Sequence, residues 1–142
     1  VNTSYLPLCK TLAEMIRLSK KNFRCALSVS GVMLEMFQQF APEMIDMLKE
    51  LDLVVAAASY DGDVFPVMHD FLHHLAIKNY SKRRIGIIEN GSWAPSAGRA
   101  MRAIIDTFKG VTVAESMVTI MSSLKDSDIP ALERLADEVL AE

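Results

Sequence analysis

Leu53-Val54-Val55-Ala56-Ala57-Ala58, followed by Ser59-Tyr60-Asp61-Gly62-Asp63, is the stretch whose reading decides the fold. An unbroken apolar run of strand length, with no charge in it, suits a strand covered on both faces, as in a parallel sheet between helices. The polar residues behind it read as a turn, with Gly62 free to take a positive φ. Towards the C-terminus a helix begins near Pro66 and turns Met68, Phe71, Leu72 and Leu75 inward. Arg84-Ile85-Gly86-Ile87-Ile88 is the next strand and runs into Glu89-Asn90-Gly91-Ser92-Trp93. Pro95 opens another helix, with Ala97, Met101, Ile104, Ile105 and Phe108 at core spacing. Val111 to Ile120 reads as the last strand, and Ile129 to Leu140 as an amphipathic helix behind Asp126-Ser127-Asp128.

Towards the N-terminus the alternation continues. Met44, Ile45 and Leu48 mark a helical piece with Pro42 in its first turn, and Met33, Phe37 and Phe40 mark another before it. Phe23 to Ser30, closed by Gly31, is a short apolar run that reads as a buried strand. Leu8, Leu12, Met15 and Ile16 then open the chain at helical spacing, with Lys and Arg gathering at the end. Strands alternating with helices imply an α/β fold: a four-stranded parallel sheet in a three-layer sandwich, joined by right-handed crossovers. The Phe23 strand is expected beside the Leu53 strand or displaced from it. No strand precedes the first helix.

Composition sets the outer limits. The 142 residues suffice for one domain with a core, and 51% hydrophobic against 23% charged residues is a globular balance. A net charge of −3 offers no clustered basic surface for nucleic acid or an anionic membrane. No apolar run has membrane-spanning length and no signal pattern opens the chain, so a cytoplasmic protein is expected. Cys9 and Cys25 have no metal-ligand spacing and read as small buried hydrophobes, and the nine methionines as core filler.

In open parallel sheets ligands bind where strands run into helices. Two such loops are rich in polar residues and glycine: Ser59, Tyr60, Asp61, Gly62 and Asp63, then Asn90, Gly91, Ser92 and Trp93. Tyr60 and Trp93 supply flat aromatic surfaces, Gly91 permits a close backbone approach, and loop N–H groups suit a heteroaromatic edge rich in acceptors. Ordinary turns with capping aromatics are the competing reading of the same spacing.

Ser59-Tyr60-Asp61-Gly62-Asp63-Val64-Phe65-Pro66, Asp70-Phe71-Leu72-His73-His74-Leu75 and Ile88-Glu89-Asn90-Gly91-Ser92-Trp93-Ala94-Pro95 together resemble the flavodoxin-like domain of flavodiiron proteins, the A-type flavoproteins. The resemblance runs from about Asp52 to Glu142 and includes Val118-Thr119-Ile120 and Ser123-Leu124-Lys125. It implies noncovalent FMN, held at the Tyr60 and Trp93 loops, and electron transfer to a redox partner or domain. Nothing resembles the family's diiron domain. Two departures stand out: Ala57-Ala58-Ser59 replaces the family's Ser-Pro-Thr, and Asp63 replaces a second glycine. A carboxylate there would disfavour negative charge on an adjacent flavin.

Residues from about 3 to 51 resemble something else. Ser4-Tyr5-Leu6-Pro7, Phe23, Leu27-Ser28-Val29-Ser30-Gly31 and Phe40-Ala41-Pro42-Glu43 are similar to a barrel fragment of the glycoside hydrolases that include thermostable α-amylases and glucanotransferases. The likeness includes no catalytic carboxylate and implies no glycosidase activity. The pair of resemblances implies a chimera joined near Leu51-Asp52 and lacking the flavodoxin's usual first strand. That strand normally leads into the phosphate loop, so only Thr3 and Ser4, ahead of the first helix, are left to face an FMN phosphate, or simply to cap that helix.

Other constellations carry less. His69 and His73 lie one helical turn apart with His74 adjacent, but without a third ligand or the zinc-protease glutamate. Ser30 and Ser92 lie in no G-x-S-x-G, and Arg83, Arg84, Arg99 and Arg102 read as a solvated face. No catalytic or metal-ligating set results. The expectation is an FMN-binding electron-transfer module, set against a designed or chimeric scaffold without natural activity and, more weakly, a carbohydrate-active fragment. An uncovered sheet edge would favour a homodimer or strand-swapped oligomer.

Overall fold

The computed structural model describes residues 29–48 and 51–141, together with Pro7, Lys10, Thr11, Glu14 and Leu18. Contacts divide the chain into two compact units, Val1–Leu48 and Lys49–Glu142.

In the first unit, the apolar positions expected of the opening helix and residues 23–28 of the expected strand lie outside the described residues. Val29 and Ser30 are not in a strand. The Ser30 hydroxyl instead accepts the Met33 N–H at 3.3 Å and caps α1, Gly31–Phe40. Leu34 and Phe37, three residues apart on one face, are buried, whereas Phe40, the last residue of the helix, is exposed. Pro42 leads into α2, Glu43–Leu48, which buries Met44, Ile45 and Leu48.

The second unit is a flavodoxin-like α/β layer structure. Its elements are β1 (Leu53–Tyr60), β2 (Asp63–Val64), α3 (Pro66–Ile77), β3 (Arg84–Asn90), α4 (Ala97–Ile105), β4 (Thr112–Ile120), a short 3₁₀ turn (Asp126–Asp128) and α5 (Ile129–Leu140). The sheet has four strands in the order β2-β1-β3-β4. β1, β3 and β4 are parallel, with Val55 beside Ile87 and Ile88 beside Val118. Among the described residues the fourth strand is the two-residue β2, antiparallel to the end of β1, and the expected Phe23 segment lies outside them. Asp61 and Gly62 have φ of 50° and 75°, the double positive turn that twists correctly for a two-residue hairpin. Ser59 and Tyr60 are therefore strand residues, and the expected loop shrinks to Asp61-Gly62.

Side chains alternate across the sheet, which sets up the two helical layers. Val118 packs on Leu135 and Val139 of α5, with Ile88, Ala114 and Ile120 around them. Ile87 and Glu89 point to the opposite face, where Glu89 meets α4. Phe71, Leu72 and Leu75 of α3 and Met101 and Ile105 of α4 are buried as the spacing required. Phe108 lies beyond the end of α4 and meets the buried Tyr80 edge-on at 5.9 Å. The Tyr80 hydroxyl donates to the Leu51 carbonyl at 2.8 Å; burial, then nearby Asp52, raises its pKa, so it stays a donor.

β4 bulges between its pairings with Ile85 and Ile87, where register moves from Val113 to Met117. Bulged backbone loses ladder partners, and here Glu138 of α5 replaces them. Its carboxylate accepts the Ser116 N–H at 2.9 Å and the Ser116 hydroxyl. These bonds, the hydroxyl's first, hold the Glu138 carboxyl below its ordinary 4.5. A depressed folded-state pKa contributes stability above the unfolded value and loses it as pH falls through the folded one. Glu138→Gln should therefore flatten the acid side of the stability profile below pH 4.5 and leave the slope near neutrality unchanged. Thermal unfolding followed across acidic pH checks this; an unaltered acid limb would deny Glu138 the role.

Candidate functional site

The C-terminal ends of β1 and β3 converge on the start of α4. Ser59 shares the parity of Val55 and Ala57, so its hydroxyl faces the α4 layer. It accepts the N–H groups of Ser96 at 2.8 Å and Ala97 at 3.2 Å, which are first donors of α4. The nearly buried Ser96 hydroxyl donates in return to the Asp63 carbonyl at 3.0 Å. The hairpin and the β3–α4 loop are thereby tied together. One strand over, Glu89 is 5% exposed, beyond the apolar run Ile85–Ile88 of its strand. Its carboxylate accepts the Gly98 N–H at 2.7 Å and the Thr119 hydroxyl at 2.8 Å, joining β3, α4 and β4. A Cβ on Gly98 would stand 2.9 Å from that carboxylate and 2.5 Å from Met117 Sδ, so only glycine admits the contact.

The expected site residues take distinct roles around this frame. Tyr60 is half exposed and meets Phe65 edge-on at 5.8 Å. Trp93 is 95% exposed. Asp61, Gly62 and Asp63 are exposed, and Asp63 Oδ1 accepts the Val64 N–H at 2.7 Å. Asn90 ends β3 and donates through Nδ2 to the Ser122 carbonyl at 2.9 Å, while the Gly91 N–H reaches the Ile120 carbonyl. Gly91 closes on its own loop, since an added Cβ would lie 3.1 Å from Pro95 Cα. Ser92 is exposed. Thr3 and Ser4 lie outside the described residues.

Three participants went unassigned from sequence: Glu89, Ser96 and Phe65. A lone acid closing an apolar strand was the signal for Glu89, because an unpaired charge is seldom buried there. Asp-Gly between strand-forming residues was the signal for the hairpin that brings Phe65 beside Tyr60.

Elsewhere, a groove of about 280 Å³ between α4 and β4 is lined by Arg99, Arg102, Glu115 and Met117 among others, and shares no residue with the expected site. Arg102 pairs with Asp106 at 2.7 Å. On α3, His69 and His73 are exposed, and His69 lies 3.7 Å from Asp70. No group of three or more His, Cys, Asp or Glu able to hold a metal occurs among the described residues. No described helix is long and apolar enough to cross a membrane.

A parallel sheet between two helical layers, with its loops gathered at the strand C-termini, defines a flavodoxin-like α/β domain. Among solved structures the chain is similar to the rubredoxin oxygen:oxidoreductase of the anaerobe Desulfovibrio gigas, a flavodiiron protein. The TM-score is 0.57 at 12% identity, over 61% of this chain and 21% of that one. At that identity the likeness speaks for the fold. No protein-family model and no curated protein matches the chain. The comparisons lend no support to a chimeric origin.

Proposed function

We propose that the second unit is a flavin-binding electron-transfer module, with FMN at the C-terminal ends of β1 and β3. One observation carries the reading: Tyr60, Phe65 and Trp93 stand exposed on two segments that Ser59 and Ser96 pin together. Exposed aromatics cost hydrophobic free energy that a flat ligand recovers by covering them. Tyr60 and Trp93 would face the isoalloxazine ring, with Asp61 to Asp63 and Asn90 to Ser92 along its edges. A bound flavin would supply reversible electron uptake, and the chain's part is to orient the ring and shield it from water. A redox partner protein belongs to the same proposal, as does pairing of two chains along the edge of β1 that has no strand partner at Leu53–Ala58 among the described residues.

Trp93 is the sole tryptophan and reports on the site directly. Its emission should be that of solvated indole in the free protein and should be quenched by FMN at tens of micromolar, together with the flavin's own fluorescence. Trp93→Ala should weaken binding by about tenfold, near the value of one good aromatic contact. Unchanged emission and flavin spectra over that range would sink the proposal.

A scaffold of composite origin without natural activity is the second reading. The joint expected near Leu51-Asp52 lies close to the division of contacts at Leu48/Lys49. The same titration separates the two, since a scaffold leaves both fluorescence signals untouched.

A further inference from the structure

The connection between β4 and α5 leaves three large apolar side chains in water: Met121 is 40% exposed, Leu124 53% and Ile129 40%. None of them is among the residues assigned to the flavin. Scattered singly, exposed apolar residues need no explanation, but three on one loop form a patch. The loop is tied to its neighbour. Asn90 Nδ2 donates to the Ser122 carbonyl at 2.9 Å and the Gly91 N–H to the Ile120 carbonyl, which sets Met121 beside the loop of Trp93. Charge is distributed unevenly about the same sheet. The connections at the C-terminal ends of the strands carry Asp61, Asp63, Asp126 and Asp128 against Lys125 alone. Those at the opposite end, residues 78–83 and 106–111, carry Lys78, Lys82, Arg83 and Lys109 against Asp106, with Asp52 at the foot of β1. An apolar centre within a charged rim is the anatomy of a protein interface, and a rim of one sign selects a partner of the other.

From this placement we propose that a protein with a basic face docks across the strand C-termini, seated on Met121, Leu124 and Ile129 and ringed by the four aspartates. That the docked protein is an electron carrier rests on the flavin reading above, since docking here sets it beside the loops that would hold the ring. The docking itself needs no flavin. The aspartates steer the approach over about 10 Å at 0.1 M salt, and burial of the apolar residues holds the complex once formed.

The test titrates the intact, flavin-free chain with ferricytochrome c, a basic haem protein, at low ionic strength, reading the quenching of Trp93 by the haem. Quenching should saturate, and the dissociation constant should rise as salt screens the rim. Asp126→Asn should weaken binding about threefold, whereas Asp137→Asn, an equal loss of charge near the far end of α5, should change it by less than about 1.5-fold. Leu124→Ser removes apolar surface and no charge, and should weaken binding about fivefold with little dependence on salt. Equal losses from the two aspartates would overturn the proposal by reducing the attraction to net charge, as would a Leu124→Ser variant that binds like the parent. Sedimentation showing that the chain associates with itself, and that Asp126→Asn abolishes this, would also overturn it by giving the surface to a second copy's basic end. No quenching by ferricytochrome c, with FMN still bound in its own titration, would sink the docking surface and leave the flavin reading standing. Docking without FMN binding would uphold the surface and fell the flavin reading.

Discussion

Glu89→Ala is expected to lower the free energy of unfolding by about 3 kcal/mol, and Glu89→Gln by less than about 1 kcal/mol. The carboxylate is buried and accepts one hydrogen bond from α4 and one from β4. Truncation leaves the Gly98 N–H without an acceptor away from water, and opens a space where the side chain was. An unsatisfied buried donor costs about 1–3 kcal/mol, and the lost bonds to a charged group add to it. Glutamine keeps one oxygen for the Gly98 N–H, and its amide can donate to Thr119 Oγ1, whose hydroxyl hydrogen rotates away. Urea unfolding followed by far-ultraviolet circular dichroism separates the two variants. Equal losses would mean that the carboxylate is not the joint between α4 and the sheet. The contact is tight enough that an added Cβ at Gly98 would collide with it, so helix and acid were fitted to each other at that position.

Ser59→Ala should cost about 1–2 kcal/mol, the range for removing a side-chain helix cap. Its oxygen accepts both the Ser96 and Ala97 N–H groups, and alanine leaves them to water or unpaired. If the flavin reading holds, affinity should also fall by about tenfold, because the hairpin bearing Tyr60 loses its tie to the loop bearing Trp93. Ser59→Thr retains the hydroxyl and suits a strand, so it should restore both quantities. Stability and flavin quenching measured on the same two variants check this. A stability loss with unchanged affinity would make Ser59 a cap alone.

Much of the second unit was legible in the residues. Ile85–Ile88 is apolar on consecutive positions and is covered on both faces, whereas Leu53–Ala58 has the same apolar pattern yet leaves Val54, Ala56 and Ala58 exposed, so β1 is covered on one face. The core positions of α3 and α4 followed from helical spacing. The hairpin is legible too, in the tight turn that Asp61-Gly62 imposes between strand-forming residues, although the polarity of Ser59–Asp63 alone points to a longer loop. Phe40 shows a limit of spacing. It marks which residues can share a face, yet how far along the helix burial extends is set by what packs against it, and Phe37 rather than Phe40 is covered.

The residue pattern by itself determined the parallel β1, β3 and β4, the helices between them, and the end of the sheet at which polar loops gather. Periodicity and turn chemistry are local and act on neighbours in the chain. The ties that shape the site join residues far apart: Ser59 to Ser96 and Ala97, and Glu89 to Gly98 and Thr119. Whether a hydroxyl or a carboxylate is spent on a helix end or left for a ligand depends on which donors the packed layers bring within hydrogen-bonding distance. Only the tertiary structure decided that, and it turned a general anion-ready helix terminus into a closed joint beside an open aromatic surface.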